Sequence, residues 1–326
     1  MSISDLVRLM SDGDFHSGQA LGERLGVSRT AVWKQLRKVE GLGLEVECIR
    51  GRGYRLLAPP EPLDGPLIVS HLGRETRQHL RRLFVEDTLG STNTFLLERF
   101  AQGAGHGEVC LTERQSEGRG RRGRGWHSEW GGSIHFSIGW QFENGVAALE
   151  GLSLATGVIM AELIEGHAIK VQLKWPNDLI APGRDGPGKL GGVLVEVRGD
   201  VSGPCQAVIG VGVNVRLSEA GREAIGQPVA TLYDSRSDIS RNILVAQMIE
   251  AHLRMLTTFE CDGFAAWRSG WRRYHLYAGR RVRILQGSHV YEGVAEDVDS
   301  VGNLIVNVDG RRMSFSGGEV SLRGSK

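Results

Sequence analysis

The residues best suited to chemistry in this sequence form a loop in which glycine and arginine alternate, from Gly118 to Trp126. Glycine lets a backbone approach a ligand closely, and neighbouring backbone N–H groups can converge on an anion. Arginine adds charge and paired donors that suit phosphate and carboxylate groups. Strand-like runs at 108–112 and 133–138 flank the loop, whereas a disordered RNA-binding segment would have more repeats and low-complexity flanks. A merely solvated turn would hardly be so dense in both residues. We therefore predict an ordered anion-binding loop.

Three other polar segments have side chains that can hold an ionic substrate. Lys174-Trp175-Pro176-Asn177-Asp178 follows a predicted strand, which its proline would end. Lys189 precedes two glycines and an apolar strand, so its ammonium can face a developing anion. Ser91-Thr92-Asn93 precedes an apolar helix pattern. Taken singly, each also fits an ordinary alternative: a polar turn, a surface lysine and a helix N-cap, respectively.

Two common nucleotide-binding motifs are missing from the sequence. No GxxxxGK[ST] segment occurs, so a P-loop is excluded. The pair Gly210 and Gly212 lacks a third glycine at the spacing of a dinucleotide fingerprint. Any nucleotide must therefore bind through a different arrangement.

The first 58 residues predict three helices followed by a hairpin. Apolar residues recur at helical spacing over 3–10 and 20–25, and Gly26-Val27-Ser28 predicts a turn before a helix over 29–39. The segment 44–57 predicts a strand, a glycine-rich turn and a second strand. This order is that of a winged helix-turn-helix.

Positive charge is concentrated on the third helix and the hairpin of this unit. No acid lies between Arg29 and Lys38, and none lies between Arg50 and Arg55. A helix and a wing that both present cations can contact phosphates while polar side chains reach base edges. The predicted DNA contacts are Ser28, Arg29, Thr30, Trp33, Lys34, Arg37, Arg50 and Arg52. A helical adaptor with solvated basic side chains is the alternative.

The chain's 326 residues suggest about two or three domains. Four prolines between Ala58 and Pro66 predict an extended linker. After Gly279 the pattern changes to short alternating strands, with a hairpin turn at Asp309-Gly310. We therefore divide the α+β chain into a winged helix at 1–58, a linker at 59–66, a catalytic domain at 67–277 and a small β-barrel at 278–326.

The central part mixes strands and helices. Alternation over 133–138 predicts a strand with one buried face. Apolar, β-branched runs at 193–197 and 207–215 suit central strands. Mostly apolar or amphipathic patterns over 149–164 and 239–256 predict helices.

Composition is that of an ordinary globular protein, with 40% hydrophobic and 24% charged residues and a net charge of +1. No apolar run has the form of a signal peptide or a bilayer span, which favours a cytoplasmic protein without a membrane partner. The cysteines are widely separated and indicate reduced thiols, without a disulfide framework or a zinc site. They are Cys48, Cys110, Cys205 and Cys261.

Together these segments resemble the bacterial biotin protein ligases that also repress the biotin operon, and the resemblance covers nearly the whole chain. The loop at 118–126 and the Lys-Trp-Pro-Asn-Asp segment are specific as a pair. The matching segments are the winged helix, Gly90 to Asn93, Gln115, Gly118 to Trp126, Lys174 to Asp178, Lys189 to Glu196, Gly210 to Asn214, and Gly317 to Arg323.

The resemblance implies a central α/β domain akin to class II aminoacyl-tRNA synthetases, followed by an SH3-like barrel. It also implies roles for individual residues. The biotin-binding residues would be Ser91, Thr92, Asn93, Gln115, Arg119, Gly120, Arg121, Trp126 and Lys189. The residues binding ATP or the adenylate would be Arg121, Arg124, Lys174, Asn177, Asp178 and Asn214. Hydroxyls and amides suit the biotin ring, because its ureido group has one carbonyl acceptor and two N–H donors.

The implied reaction joins biotin to ATP as biotinyl-5′-AMP, and then transfers biotin to a lysine of the biotin carboxyl carrier protein. No protein nucleophile is required, because the enzyme positions two anions and stabilises charge on the phosphate. Lys189 and Arg121 are the candidates for that task, and Asp178 is the candidate for placing Mg²⁺ or the attacking amine. Operator DNA is the other implied partner, and the adenylate-bound chain is expected to form a homodimer.

One feature of the familiar repressor-ligases is missing, a tryptophan in a mobile loop that covers adenine. The matching segment here, 226–232, contains none, and Val229 offers apolar cover without a stacking face. Other classes of protein remain as alternatives. A lipoyl protein ligase would share the chemistry, a biotin-sensing DNA-binding regulator would lack ligase activity, and an RNA-binding protein would use the arginine loop.

We expect Lys189→Ala and Arg121→Gly each to impair formation or retention of the adenylate, because each removes a cation from the reacting phosphate. Pyrophosphate release and retention of labelled adenylate measure the two effects. Wild-type values in both variants would contradict these roles.

Overall fold

The computed structural model describes residues 2–200, 203–286, 289–316 and 320–324, and it divides into an N-terminal helical unit, a central sheet and a C-terminal sheet. Three residues of the predicted C-terminal motif, Gly317, Gly318 and Glu319, lie outside the described residues.

The N-terminal unit has the predicted winged-helix order. Its elements are α1 (Ile3–Leu9), α2 (Gly18–Leu25), α3 (Arg29–Gly41), β1 (Val46–Ile49) and β2 (Gly53–Leu56). Ser2, Ser17 and Ser28 begin the three helices, each accepting a backbone N–H through its hydroxyl. Gly26 ends α2 in the left-handed conformation that glycine adopts without strain. The turn predicted at Gly26-Val27-Ser28, before the third helix, is confirmed.

The proline-rich segment is extended as predicted, but it is docked along the central unit. Pro60, Pro62 and Leu63 are buried, and the backbone N–H of Leu63 donates to Glu113. The next helix, α4 (Gly65–Ser70), begins inside the predicted linker because Asp64 caps it. Buried contacts and hydrogen bonds therefore fix this linker in place.

The central unit is built on a seven-stranded sheet with the order β3-β4-β5-β9-β8-β7-β6. Only the β3–β4 pair is parallel among the pairs that the structure describes. The strands are β3 (Arg82–Leu89), β4 (Glu108–Gln115), β5 (Ser133–Phe142), β6 (Gln172–Lys174), β7 (Asp178–Gly183), β8 (Gly186–Gly199) and β9 (Cys205–Asn214). The central strands predicted at 193–197 and 207–215 are thus confirmed.

Helices cover both faces of this sheet. One face carries the main apolar core, which the two long helices cover, and the other carries a smaller cluster under the helix at 92–101. The helices are α5 (Arg74–His79), α6 (Thr92–Ala101), α7 (Leu152–Gly166), α8 (Glu219–Ile225), α9 (Leu232–Ser235), α10 (Arg241–Asp262) and α11 (Arg268–Tyr274). Short 3₁₀ turns lie at 121–123, 146–149 and 264–267.

Three expectations from the sequence need correction. The strand β5 has both faces buried, because its polar residues lie under α6 and along a cavity. Ile243, one of the apolar residues whose helical spacing over 239–256 predicts a buried helix face, is 40% exposed. The stretch Val146–Gly166 is long and apolar enough to span a bilayer, contrary to prediction. However, 61% of its most apolar window is buried, and α7 forms part of the core.

The C-terminal unit is a five-stranded antiparallel sheet with the order β13-β12-β11-β10-β14, which matches the predicted small all-β domain. Its strands are β10 (Arg281–Gln286), β11 (His289–Val298), β12 (Leu304–Val308), β13 (Arg311–Phe315) and β14 (Val320–Gly324). Asp309 and Gly310 form the predicted hairpin turn, both with positive φ. The indole of Trp175 donates to the Gly302 carbonyl at 3.0 Å and so links this unit to the central one.

A tryptophan of the central unit completes the core of the winged helix. Trp130, which lies between β4 and β5, is 1% exposed and belongs to the apolar cluster of the N-terminal unit. Leu6, Val32 and Leu36 are members of the same cluster. At the N-terminus of α1, Asp87 of β3 accepts backbone N–H groups of residues 3 and 4. The N-terminal unit is therefore docked through apolar and polar contacts.

We expect Trp130→Ala to destabilise the N-terminal unit by about 3–5 kcal/mol, because a large buried side chain would be replaced by a cavity. Hydrogen exchange of α1–α3 measures the local stability. Trp33→Ala is the matched control, since Trp33 is 48% exposed in the same unit. Equal exchange in the two variants would contradict the docking role of Trp130.

Candidate active site

A cavity of 710 Å³ opens on the α6 side of the central sheet. Every residue predicted to bind biotin or the adenylate contributes to its wall: Ser91, Thr92, Asn93, Gln115, Arg119, Gly120, Arg121, Arg124, Trp126, Lys174, Asn177, Asp178, Lys189 and Asn214. Segments far apart in sequence thus meet at one place. Their individual roles stay predictions.

The glycine–arginine loop is ordered by its own backbone. Gly120 N–H donates to the Arg124 carbonyl at 2.7 Å, and Trp126 N–H donates to the Gly118 carbonyl at 2.8 Å. The turn between them places Arg122 at φ 60°, a left-handed conformation. The loop is therefore a tight hairpin-like flap at the rim of the cavity.

Lys189 lies on the cavity wall beside this flap. Its Nζ is 2.7 Å from Asp178 Oδ1 and 5.6 Å from the centre of the Trp126 ring. The predicted convergence of Lys189 with the loop is present. The pKa of Arg121 is lowered chiefly by burial and further by Arg122, while the charge of Asp178 acts to raise it. Asp178 therefore pairs directly with Lys189 and acts on Arg121 through its charge.

The amides predicted to contact the adenylate hold backbone groups. Asn214 Nδ2 donates to the carbonyls of Lys189 and Ala230, each at 3.2 Å. Asn177 Nδ2 donates to the Val193 carbonyl at 2.9 Å. These two side chains therefore position β8 and its lysine.

The predicted biotin-ring residues form a connected polar network at the start of α6. Ser91 is the N-cap of this helix, the ordinary role that the sequence also allowed for the Ser-Thr-Asn segment. Gln115 Oε1 accepts the backbone N–H of Thr92 at 2.9 Å and lies 3.2 Å from its hydroxyl. Ser137 Oγ lies 2.7 Å from the Thr92 hydroxyl and 2.6 Å from Asn93 Oδ1. The orientation of each side chain is thus set by its neighbours.

The sequence analysis missed His135, a buried member of this network on β5. Its Nδ1 is 3.3 Å from Gln115 Nε2, and its Nε2 is 2.8 Å from Ser128 Oγ. Burial, and to a lesser extent Arg241, lowers the pKa of His135 to about 3. The neutral ring accepts from Gln115 and fixes its amide orientation. The only sequence signal was a polar residue within an alternating strand.

Two glycines of β9 allow side chains to approach the sheet closely. A Cβ at Gly212 would lie 2.9 Å from the Trp126 ring, and a Cβ at Gly210 would lie 2.3 Å from Asn93 Oδ1. Close packing against Asn93 and Trp126 thus explains why glycines occupy positions 210 and 212, and no dinucleotide-binding role is needed.

The segment matching the adenine-covering loop also borders the cavity. Ala224, Ile225, Gln227 and Val229 line it. Lys189 N–H donates to the Pro228 carbonyl, and Ala230 N–H donates to the Lys189 carbonyl. Ala224 and Ile225 of α8 therefore line the cavity together with Val229, and cover of adenine by Val229 stays a prediction.

In the N-terminal unit, the predicted DNA-contacting residues are exposed. Arg37 lies over the Trp33 ring at 5.5 Å and pairs with Glu40, and Arg52 lies over the Phe15 ring at 4.2 Å. The exposed set is Ser28, Arg29, Thr30, Trp33, Lys34, Arg37, Arg50 and Arg52. These side chains are available to a partner.

We expect the stability of the protein to depend on His135 below pH 6.5. The unfolded chain protonates this ring near pH 6.5, whereas the folded chain keeps it neutral to about pH 3. The unfolded state then binds more protons, so stability falls as pH falls through this window. The stability of wild type relative to His135→Gln should drop by up to about 1.4 kcal/mol per pH unit. Urea unfolding between pH 7.5 and pH 5 tests this, and a pH-independent difference would contradict it.

Comparison with known proteins gives the family. The model of the Biotin/lipoate A/B protein ligase family matches residues 85–214, an HTH domain model matches 3–55, and the Biotin protein ligase C terminal domain matches 277–323. The chain is 37% identical over 322 residues to the Bifunctional ligase/repressor BirA of Salmonella typhimurium, covering 98% of this chain and 97% of that protein. It is 35% identical to the Escherichia coli protein of the same name, with the same coverage.

A solved structure agrees with these matches. The biotin protein ligase from Aquifex aeolicus in complex with biotin and ATP superposes with a TM-score of 0.63 at 28% identity, covering 75% of this chain and 100% of that one. The cavity, the three units and these likenesses lead to one conclusion: the chain belongs to the biotin protein ligase family and has the domain order of its bifunctional ligase/repressor members.

Proposed function

We propose that the chain is an ATP-dependent ligase that forms biotinyl-5′-AMP and transfers biotin to a lysine of the biotin carboxyl carrier protein. The observation that carries this proposal is that Lys189, Arg121 and Asp178 line one cavity, with Lys189 paired to Asp178 at 2.7 Å. Names of relatives support it, including the Biotin–[acetyl-CoA-carboxylase] ligase of Mycobacterium tuberculosis, 35% identical over 248 residues, 74% of this chain and 88% of that protein.

In the first step, a carboxylate oxygen of biotin attacks the α-phosphorus of ATP. The bond from that phosphorus to the bridging oxygen of the β-phosphate breaks, and pyrophosphate leaves. Both reactants are anions, so their approach needs positive charge. Lys189 and Arg121 supply it, and the donors of the flap add to it. The fixed backbone of Lys189 keeps its ammonium at the reacting centre.

In the second step, the neutral amine of the carrier lysine attacks the acyl carbon of the mixed anhydride. The bond from that carbon to the phosphate oxygen breaks, AMP leaves, and the amine loses a proton as the amide forms. Asp178 is the carboxylate that can orient this amine, because its oxygen lies at the cavity wall beside Lys189.

Magnesium fits this site as an ion held mainly by ATP. Within the described ranges, no group of three or more His, Cys, Asp or Glu side chains could hold a metal ion. Asp178 is a carboxylate in the cavity wall, and Mg²⁺ commonly takes one or two carboxylates plus substrate phosphates. When bound, the ion would neutralise phosphate charge.

We also propose that the chain is a cytoplasmic protein that represses transcription by binding operator DNA. The exposed basic side chains on α3 and the wing support operator binding, and the names of the relatives support a repressor. A homodimer of the adenylate-bound chain is part of this proposal.

The ligase activity is tested by incubating the purified chain with ATP, Mg²⁺, biotin and a biotin carboxyl carrier domain. We expect biotin transfer on streptavidin blotting, and no transfer of radiolabelled lipoate. In the same assay, Arg121→Gly should reduce biotin transfer. Arg236→Ala is its control and should leave transfer unchanged, because Arg236 pairs with Asp238 at the surface. Lipoate transfer would favour a lipoyl ligase, and biotin binding without transfer would favour a regulator that lacks ligase activity.

A further inference from the structure

Glu196, on β8, connects three elements around the cavity. Its Oε1 is 3.0 Å from a terminal guanidinium nitrogen of Arg119 in the flap, and its Oε2 accepts from Asn93 Nδ2 at 2.8 Å. The other terminal nitrogen of Arg119 donates to the Thr94 hydroxyl at 2.9 Å. A single carboxylate thus joins the flap, the start of α6 and the central sheet.

These bonds change the interpretation of Arg119. The resemblance implies that Arg119 binds biotin, which stays a prediction; in the structure its guanidinium is directed at Glu196 and Thr94. Its charge is compensated by the carboxylate. Arg119 therefore fastens the flap to the wall, while Arg121 lines the same cavity as Asp178.

The same carboxylate orients Asn93. With Nδ2 donating to Glu196 and to the Leu194 carbonyl, Asn93 Oδ1 is left to accept from Ser137. Ser137 in turn contacts the Thr92 hydroxyl, so the orientation reaches the polar network beneath the flap. Glu196 thereby orients both the flap, through Arg119, and the polar network beneath it, through Asn93.

We propose that Glu196 is a positioning residue, which we call the flap latch together with Arg119. It holds the flap closed over the cavity and fixes the Asn93 amide, and it does not touch the substrate. The inference rests on the proposed function only in taking biotin as the cavity's ligand. The side chains of Glu196 and Arg119 are 27% and 36% exposed, and such pairs contribute little to global stability. Loss of the latch should therefore leave the chain folded.

The protein saturated with biotin tests the latch directly, because the flap contains trypsin sites at Arg121, Arg122 and Arg124. Proteolysis of a locally opened segment follows the population of its open form. We expect Glu196→Ala to raise the cleavage rate at these bonds roughly threefold to tenfold, for the loss of an ion pair and a charge-assisted hydrogen bond. Mass spectrometry of timed digests measures it.

Glu292→Ala is the matched control, because Glu292 pairs with the exposed Arg283 on neighbouring strands of the C-terminal sheet. It should leave flap cleavage unchanged. Glu196→Gln keeps an acceptor for Asn93 while removing the charge, so it should give an intermediate rate. It also serves if Glu196→Ala fails to fold. Wild-type cleavage rates in folded Glu196→Ala, or in Glu196→Gln if only that variant folds, would overturn the latch.

A double-mutant cycle separates positioning from direct contact. Biotin affinity is measured by calorimetry for Arg119→Ala, Glu196→Ala and the double variant. If Arg119 acts through Glu196, the double variant should bind no more weakly than Glu196→Ala alone. If the fold-losses in biotin affinity of the two single variants instead multiply in the double variant, Arg119 contacts biotin independently, and the proposal is overturned.

Charge reversal provides a rescue. Arg119→Glu combined with Glu196→Arg restores an attraction across the same gap, and it should recover part of the protection at Arg121 and Arg122. Because the digestion needs neither ATP nor a carrier protein, it reports on the latch even if biotin transfer is not observed. Conversely, transfer with an unaltered digestion pattern would leave the ligase proposal standing and reject the latch.

Discussion

The site depends on holding the ammonium of Lys189 beside the carboxylate of Asp178 before any substrate arrives. The two groups lie 2.7 Å apart in a half-buried cavity whose wall also carries Arg121, so the carboxylate offsets part of the positive charge of that wall. Position matters as much as charge. The backbone of Lys189 is bound on one side to the segment at 228–230 and on the other to Asn214. The cation is therefore preorganised, which is the condition under which electrostatic stabilisation of a transition state is most effective.

The sheet makes this arrangement possible through the alternation of its central strands. On β5 and β9, apolar residues face the helices α7 and α10, and the intervening positions face α6 or the cavity. At the cavity face, glycines at 210 and 212 leave space for Asn93 and Trp126 to lie almost on the backbone. A side chain at either glycine would displace a residue of the network or of the flap. Small residues in these strands thus set the depth of the pocket.

Much of this could be predicted from the sequence, because the cavity residues occur in short segments whose composition indicates ion binding. The flap, the Lys-Trp-Pro-Asn-Asp segment and Lys189 were found in this way, as were the winged helix and the long helices. His135 and Glu196 were not assigned roles, since neither belongs to a recognisable motif and the contacts of each are made with residues of other elements. Docking of the linker was missed for the same reason. It depends on a buried pair between Glu113 and Arg241, which lie 128 positions apart in the numbering.

The segment from Trp126 to Trp130 shows how the units share one structure. Trp126 lies against Lys189 in the cavity, Ser128 binds His135 and the backbone of Gln115, and Trp130 is buried in the core of the winged helix. Between them, Glu129 accepts from the backbone and hydroxyl of Ser218, which caps α8. This segment of five residues therefore contacts the cavity, the helix α8 and the core of the winged helix. Trp126 lies only four positions before Trp130, which is part of the winged-helix core. Because packed interiors transmit displacement, a shift of Trp126 in the cavity must also displace residues next to that core.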